Sequence, residues 1–332
     1  MRRYPKIFIR SKSELAKRFA TMTLTSSHAL DLINDVLSHF NDYWSDSKHS
    51  QPGKNKYIRS AKGTPLGRVL KLIDKRLLRP HDQFLPGFIF GGVSEKSHID
   101  AALYLLGKKR ERILLVLDIW RFFEQISQER VEIFFHHKAE CSHKGAKLLA
   151  GLCCVEEGPK GSSSSKRVLA RGFATSTRLA VWCNLDIFLR LYWLVIRRLK
   201  GYDPRLAIFV DDIGISASRA PRDKIEALKD EVEGLLVSYD KNQRLLPNPA
   251  KTHIYSYEDG LEHLGLRLGR NRLSFGSKTL AGKARVAYKL KTTISPLEKR
   301  KLRTQKKSYF AYQAQINQAN EQIVHDQKGK GT

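Results

Sequence analysis

The sequence predicts an α+β chain, an antiparallel sheet with helices behind it, and three observations predict it. Arg112-Ile113-Leu114-Leu115-Val116-Leu117-Asp118 is a continuous apolar run of buried-strand length that ends on an acid. Leu206-Ala207-Ile208-Phe209-Val210 and Ile213-Gly214-Ile215-Ser216 flank the pair Asp211-Asp212, which reads as a hairpin with two carboxylates at its tip. Amphipathic stretches at 176–199 and 222–239 interleave with these strands, so the sheet has helices to pack against.

Two adjacent acids in so apolar a run are costly to bury, because they repel each other and lose hydration. Divalent cations relieve both penalties, and paired metal ions held by carboxylates serve phosphoryl transfer. Two ions need a third acid from another strand, and Asp118 at the end of its own strand supplies it.

The remaining elements follow in order. Residues 12–22 and 27–45 read as helices with Ser13 and Ser27 as N-caps, and Leu30, Leu32, Ile33, Val36, Leu37 and Phe40 form an apolar stripe. Residues 46–68 are polar and basic with turn signals at Pro52-Gly53 and Gly63; residues 69–79 look helical. His136-His137 with Cys141 and His143 has the residue types of a metal site, but reads more simply as an exposed basic helix with a half-buried cysteine. Gly158 to Lys166 lacks the Gly-x-x-x-x-Gly-Lys-Ser pattern and reads as a mobile connector. In the 176–199 helix, Trp182, Phe188, Tyr192 and Trp193 read as core. The 222–239 helix buries Ile225, Leu228, Val232, Leu235 and Leu236. From residue 278 onward there are 13 Lys/Arg against 3 Asp/Glu, helical in composition and broken at Pro296. The tail from Lys328 to Thr332 is expected to be disordered.

The 332 residues carry 60 Lys+Arg against 33 Asp+Glu, a net charge of +27, which implies a polyanionic partner. An apolar content of 41% is enough for a core and excludes a disordered basic tail. Cys141, Cys153, Cys154 and Cys183 show neither disulfide nor zinc-finger spacing, no signal peptide is evident, and no apolar run reaches membrane-spanning length. A reducing, cytoplasmic setting without a membrane partner is the expectation.

On these residues the chain resembles the reverse transcriptases. Asp118-Ile119-x-x-Phe122-Phe123 is similar to their motif A and Phe209-Val210-Asp211-Asp212 to motif C. Leu169-Ala170-Arg171-Gly172-Phe173-Ala174-Thr175-Ser176-Thr177-Arg178-Leu179-Ala180 resembles motif B. Asn248-Pro249-Ala250-Lys251-Thr252 resembles motif D and His263-Leu264-Gly265-Leu266 motif E. Phe90 to Ser97 resembles the segment just upstream of motif A. The order and spacing are those of the family over roughly residues 55–270. The chain departs from the pattern at Phe209, where tyrosine is usual, and at Ala170, Arg171 and Thr177, where proline, glutamine and proline are usual.

The resemblance implies a right-hand polymerase fold. N-terminal helices and fingers would take 1–105, a palm 106–270 with part of the fingers around 125–168, and a short basic thumb with a flexible tail 271–332. It implies two Mg²⁺ ions, with Mn²⁺ as the alternative, held by Asp118, Asp211, Asp212 and the backbone carbonyl of Ile119. Lys251 would protonate or pair with pyrophosphate, or else is a surface lysine before a strand. Phe123 would exclude a ribose 2′-hydroxyl. Gly172 would admit close approach of nucleotide or template. Arg171 would grip a phosphate or template backbone. Among Lys56, Arg59, Lys62 and Arg68, Arg59 is the candidate phosphate contact, the alternative being a solvated charged loop.

Implied partners are an RNA template, dNTPs and the DNA product, with a second copy or an effector protein left open. Retron enzymes share the size and motif order, but their Asn-Ala-x-x-His and Val-Thr-Gly are replaced here by His98-Ile99-Asp100-Ala101-Ala102 and Glu262-His263-Leu264-Gly265. Group II intron enzymes carry extensions with no counterpart after residue 270. That leaves the defence-associated bacterial enzymes, several of which work with a nearby noncoding RNA, and so implies antiphage defence. A catalytically quiet RNA-binding protein stays open, as does a template-independent or protein-primed synthesiser using a hydroxyl such as that of Tyr309 or Tyr312.

Overall fold

A computed structural model describes residues 4–107, 111–240, 244–270 and 272–328, the last seven of these by backbone alone. The expected α+β class holds, with eleven α-helices and several small antiparallel sheets among the described residues. These form two compact units, neither of them a continuous stretch of chain. One takes the chain up to Glu95, then Ile119–Arg190 and Gly234–Pro247; the other takes Lys96–Asp118, Leu191–Glu233 and the chain from Asn248.

The second unit is built on a four-stranded antiparallel sheet. Arg112–Asp118 lies between Asp212–Ser218 and His253–Tyr255, and Arg205–Phe209 pairs on the far side of Asp212–Ser218. Leu114, Leu115, Leu117, Ile208, Ile213 and Ile215 are fully buried, which is why the acid-tipped runs read as continuous apolar stretches. The strand start is fastened by Arg112, nearly fully buried. Its guanidinium donates to the Asp203 carboxylate at 2.8 Å, the Asp203 carbonyl at 2.6 Å and the Ser216 hydroxyl at 3.1 Å. A three-stranded meander follows, Leu261–His263, Leu266–Gly269 and Arg272–Phe275.

Two helices complete this unit's C-terminal part, Ser277–Thr292 and Pro296–Lys328, with the break before Pro296 where the sequence puts it. The longer helix buries Leu302, Ile316 and Ala319 and leaves Arg300, Lys301, Arg303, Lys306 and Lys307 exposed. The Asn320 side-chain amide pairs with both backbone groups of Leu273, as another strand would. Lys328 ends this helix, so it does not belong to a disordered tail; residues 329–332 lie outside the described residues.

In the first unit, the helix Lys12–Phe19 starts where the sequence suggests and stops earlier, and Ser26–Ser38 both starts and stops earlier. Ser11 and Thr25, rather than Ser13 and Ser27, are extended and accept from the backbone N–H three residues on. The second helix gives way to a 3₁₀ turn over Phe40–Tyr43. Pro65–Ile73 is capped by Thr64 with proline at its first position, and runs on as π and 3₁₀ turns to Phe84.

The expected 176–199 helix is two, Ser176–Cys183 and Leu185–Arg198, bent by 60°. Asn184 causes the break: its side chain donates to the Ala180 carbonyl at 2.7 Å and competes with the helical ladder. Trp182 and Phe188 are core as expected, but Trp193 is 63% exposed. The Arg222–Ser238 helix matches its expected span. No single described helix is long and apolar enough to cross a membrane, although the bent pair passes by length and composition.

Gly172 shows why a side chain is excluded there, and the reason is internal. Its φ is +102°, and a Cβ would lie 2.6 Å from the Arg59 carbonyl oxygen. The protein's own backbone occupies the space that the sequence reading gave to nucleotide or template. Gly172→Ala should therefore cost on the order of 2 kcal/mol of stability, read as a fall in the urea midpoint at unchanged slope.

Candidate functional site

Three carboxylates meet at one end of the four-stranded sheet. Asp118 is the cross-strand partner of Asp212, and Phe209 is the partner of Asp212 across the hairpin. This register leaves Val210 and Asp211 as a two-residue turn. Val210 has φ +62°, a left-handed conformation that costs a β-branched residue on the order of 1–3 kcal/mol. The strain holds Asp211 and Asp212 at the tip of the ribbon, beside the end of the Asp118 strand.

Asp118 is buried and ringed by donors from the segment that leads into the His253–Tyr255 strand. Lys251 Nζ donates to Asp118 Oδ1 at 2.7 Å, Asn248 Nδ2 to Oδ2 at 3.1 Å, and the Asn248 backbone N–H to the Asp118 carbonyl at 2.8 Å. A 3₁₀ turn over Pro249–Lys251 sets this spacing. Lys251 is thus neither a simple surface lysine nor free, although most of its side chain is exposed. Burial lowers the Lys251 pKa, but the bond to Asp118 and the charges of Asp212 and Asp211 outweigh it and raise it. The Asp212 pKa is also raised, which for a carboxylate disfavours the charged form. Burial first, then Asp211 and Asp118, push its pKa up to about 7, against the opposing pull of Lys251.

The donor set is hard oxygen, which suits Mg²⁺ or Mn²⁺, and the raised Asp212 marks negative charge that a cation would relieve. Among the described residues no group of three or more His, Cys, Asp or Glu side chains is placed to hold a metal ion. Both Asp118 oxygens face Lys251 and Asn248 instead. Mg²⁺ is commonly held by one or two carboxylates with substrate phosphates and water, so the residues fit an ion that arrives with a phosphorylated ligand.

Behind the acids, Gly214 faces His263, whose Nε2 would be 2.9 Å from a Cβ there. His263 is buried, its Nε2 has no hydrogen-bond partner among the described residues, and burial drives its pKa down to about 4. His98 opens the Ser97-capped helix His98–Leu106, and its ring packs edge-on to Phe209.

The other site residues expected from the sequence lie in the first unit, together. Phe123 is buried, with the Arg171 guanidinium 4.9 Å from its ring centroid and held there by Glu124 at 3.0 Å. Arg171 is therefore paired rather than a free positive fork. Arg59 is likewise no free phosphate contact. It is 4% exposed, bound to Asp46 and to the Glu156 and Gly158 carbonyls, with Trp44 and Tyr57 rings at 5.1 and 5.4 Å. Ser45–Asp46 pairs with Arg59–Ser60 as a minimal hairpin.

The Gly158 loop is not a loose connector. Lys160 donates from its backbone to Asp46 at 2.9 Å and from Nζ to the Trp44 carbonyl at 2.7 Å. Ile119 also belongs to this unit; its side chain is buried and its backbone bridges to Pro247, so nothing marks its carbonyl as a ligand.

The histidine cluster is structural in its visible contacts. His136 Nδ1 sits 2.9 Å from the Cys141 carbonyl in a π turn over Phe134–Lys138, and Cys141 is fully buried rather than half-buried. All four cysteines are free; burial pushes Cys141 up to about 11 and Cys153 and Cys183 up to about 12, so none is a ready nucleophile. Sequence reasoning missed the role of Asn248 in seating Asp118, although its place three residues before Lys251 was a usable signal.

No protein-family model matches this chain, and no curated protein matches it.

Proposed function

We propose that this chain is an RNA-directed DNA polymerase, a nucleotidyltransferase that copies a bound noncoding RNA into DNA, with antiphage defence as its setting. One observation carries the reading: Asp118 and Asp212 are cross-strand partners, with Asp211 at the adjoining turn and Lys251 on Asp118. That is the arrangement expected if motif A, motif C and motif D of the resemblance have their implied roles. The net charge of +27 favours a nucleic-acid partner over a small anionic substrate.

Asp118, Asp211 and Asp212 would hold Mg²⁺ or Mn²⁺, which when bound supplies acidification of an attacking hydroxyl and charge neutralisation on a triphosphate. The chain's own groups do the rest. Asn248 keeps the Asp118 carboxylate in one orientation, and Lys251 offers an ammonium to the departing pyrophosphate once Asp118 is otherwise engaged.

A second reading, a catalytically quiet RNA-binding protein, draws support from the Lys251–Asp118 pair, which would then be a permanent ion pair. The test is purification of the protein from cells carrying its native flanking DNA. Bound RNA is then sequenced, together with any DNA made on adding dNTPs and Mg²⁺. Complementary DNA to one dominant RNA supports the polymerase reading; bound RNA without DNA synthesis overturns it in favour of the second.

A further inference from the structure

The unit that carries the acids also holds a phenol paired with a base, which the chemistry above does not use. Tyr312 Oη lies 2.7 Å from His98 Nε2, a contact between the long basic helix and the start of the His98–Leu106 helix. The His98 ring lies 5.3 Å from that of Tyr312 and 6.2 Å from that of Phe209, and Phe209 is the cross-strand partner of Asp212. The phenol is therefore two ring contacts from the strand that carries the acid pair.

We propose that Tyr312 is a nucleotidyl acceptor, the protein hydroxyl on which this chain starts DNA, with His98 taking its proton. The inference rests on the polymerase reading and adds to it the identity of the priming group. In the step, Tyr312 Oη bonds to the α-phosphorus of a dNTP while the bond to the β-phosphate's bridging oxygen breaks. Pyrophosphate leaves with that electron pair, and the phenolic proton passes to His98 Nε2. The product is a deoxynucleotide joined to tyrosine through a phosphodiester, and its free 3′-hydroxyl accepts the next nucleotide.

Two features favour Tyr312. Its Oη lies within hydrogen-bond reach of a ring nitrogen of half-buried His98, which burial keeps neutral near pH 7 and so able to accept a proton, and burial of the phenol, which raises its pKa, makes that base necessary. Arg300, Lys301, Arg303, Lys306 and Lys307 stand exposed on the same helix and attract a triphosphate. Tyr309, one turn earlier, is placed differently: its hydroxyl lies over Gly282 of the neighbouring helix, where a Cβ would come within 2.5 Å of it.

The experiment compares the wild type with Tyr312→Phe, Tyr309→Phe, His98→Gln and Asp211→Asn as full chains. Each is given radiolabelled dNTPs and Mg²⁺ without primer, then resolved under denaturing conditions, and the labelled peptide is identified by mass spectrometry. In parallel, each extends a DNA primer annealed to RNA, which bypasses the phenol and reads whether the acids still work. The expected result is a nucleotide on the Tyr312 peptide and a labelling-to-extension ratio that falls at least tenfold in Tyr312→Phe. His98→Gln should lower that ratio, Tyr309→Phe should leave it unchanged, and Asp211→Asn should lose both signals. Label that persists in Tyr312→Phe or maps to another residue overturns the proposal, as does a wild type that extends the supplied primer without labelling itself. A wild type that does neither overturns the polymerase reading along with it.

Discussion

Asp211→Asn is expected to lower dNTP incorporation by about 10³-fold or more, equivalent to at least about 4 kcal/mol of barrier, while RNA binding stays near the wild-type value. The asymmetry follows from what the substitution removes. Asp211 is one of three acids at the sheet end and is part of what pushes Asp212 up to about 7. Replacing its carboxylate takes away one of the oxygens proposed to hold Mg²⁺ but also relieves a repulsion. The variant should therefore melt no lower than the wild type, so that lost activity cannot be blamed on lost fold. On the polymerase reading RNA affinity would rest on the net charge of +27, of which this change alters one charge and makes the total more positive. Primer extension and filter binding on the same preparations check both halves. Asp118→Asn should behave alike in activity, with the added consequence that Lys251 and Asn248 lose their charged acceptor. Full incorporation by Asp211→Asn would sink the polymerase reading.

The acid hairpin was legible because its determinants are local. An apolar run that stops at an acid names a strand end, and two apolar runs around a two-residue turn fix Phe209 opposite Asp212 without any distant information. Seating Asp118 beside Asp212 needed a pairing between segments about ninety residues apart, and the demand of two cations for a third acid at another strand end pointed to it before the resemblance did. Where partners are distant and no motif ties them, the sequence was silent. Arg59 looks like any exposed basic loop residue until Asp46 and the Gly158 carbonyl close around it. Gly172 looks like a gap for a ligand until the Arg59 backbone fills it. Helix ends failed for a different reason: Ser11 and Ser13 are equally good caps by residue type, and only the extended backbone at Ser11 decides between them. His98 and Tyr312 are 214 residues apart, and neither residue carries a signal for the other.

The second large effect is a pair of opposed titrations that nearly hide each other. Asp212 has its folded pKa raised from the ordinary 3.8 to about 7, so its ionisation destabilises the fold, with the penalty absent below about pH 4 and complete above about pH 7. The shift bounds that penalty near 4 kcal/mol, and solvent screening at a partly exposed carboxylate reduces it to about half. His263 has its folded pKa depressed from 6.5 to about 4 by burial, so the fold favours the neutral ring. Its contribution is complete above about pH 6.5 and lost as the pH falls towards 4, on the order of 3 kcal/mol. As the pH rises from 4 to 7, Asp212 takes stability away while His263 returns it. The wild type should therefore show a shallow stability profile over this window. Asp212→Asn removes one arm, and its denaturant midpoint should climb steeply between pH 4 and 6.5. His263→Leu removes the other, and its midpoint should fall between pH 4 and 7, because the buried Nε2 that lacks a partner is gone while the crowded carboxylates remain. Mg²⁺ should flatten the His263→Leu slope by relieving Asp212 and leave the Asp212→Asn slope largely intact. Parallel slopes in the two variants would mean that neither group is as buried as the structure has it.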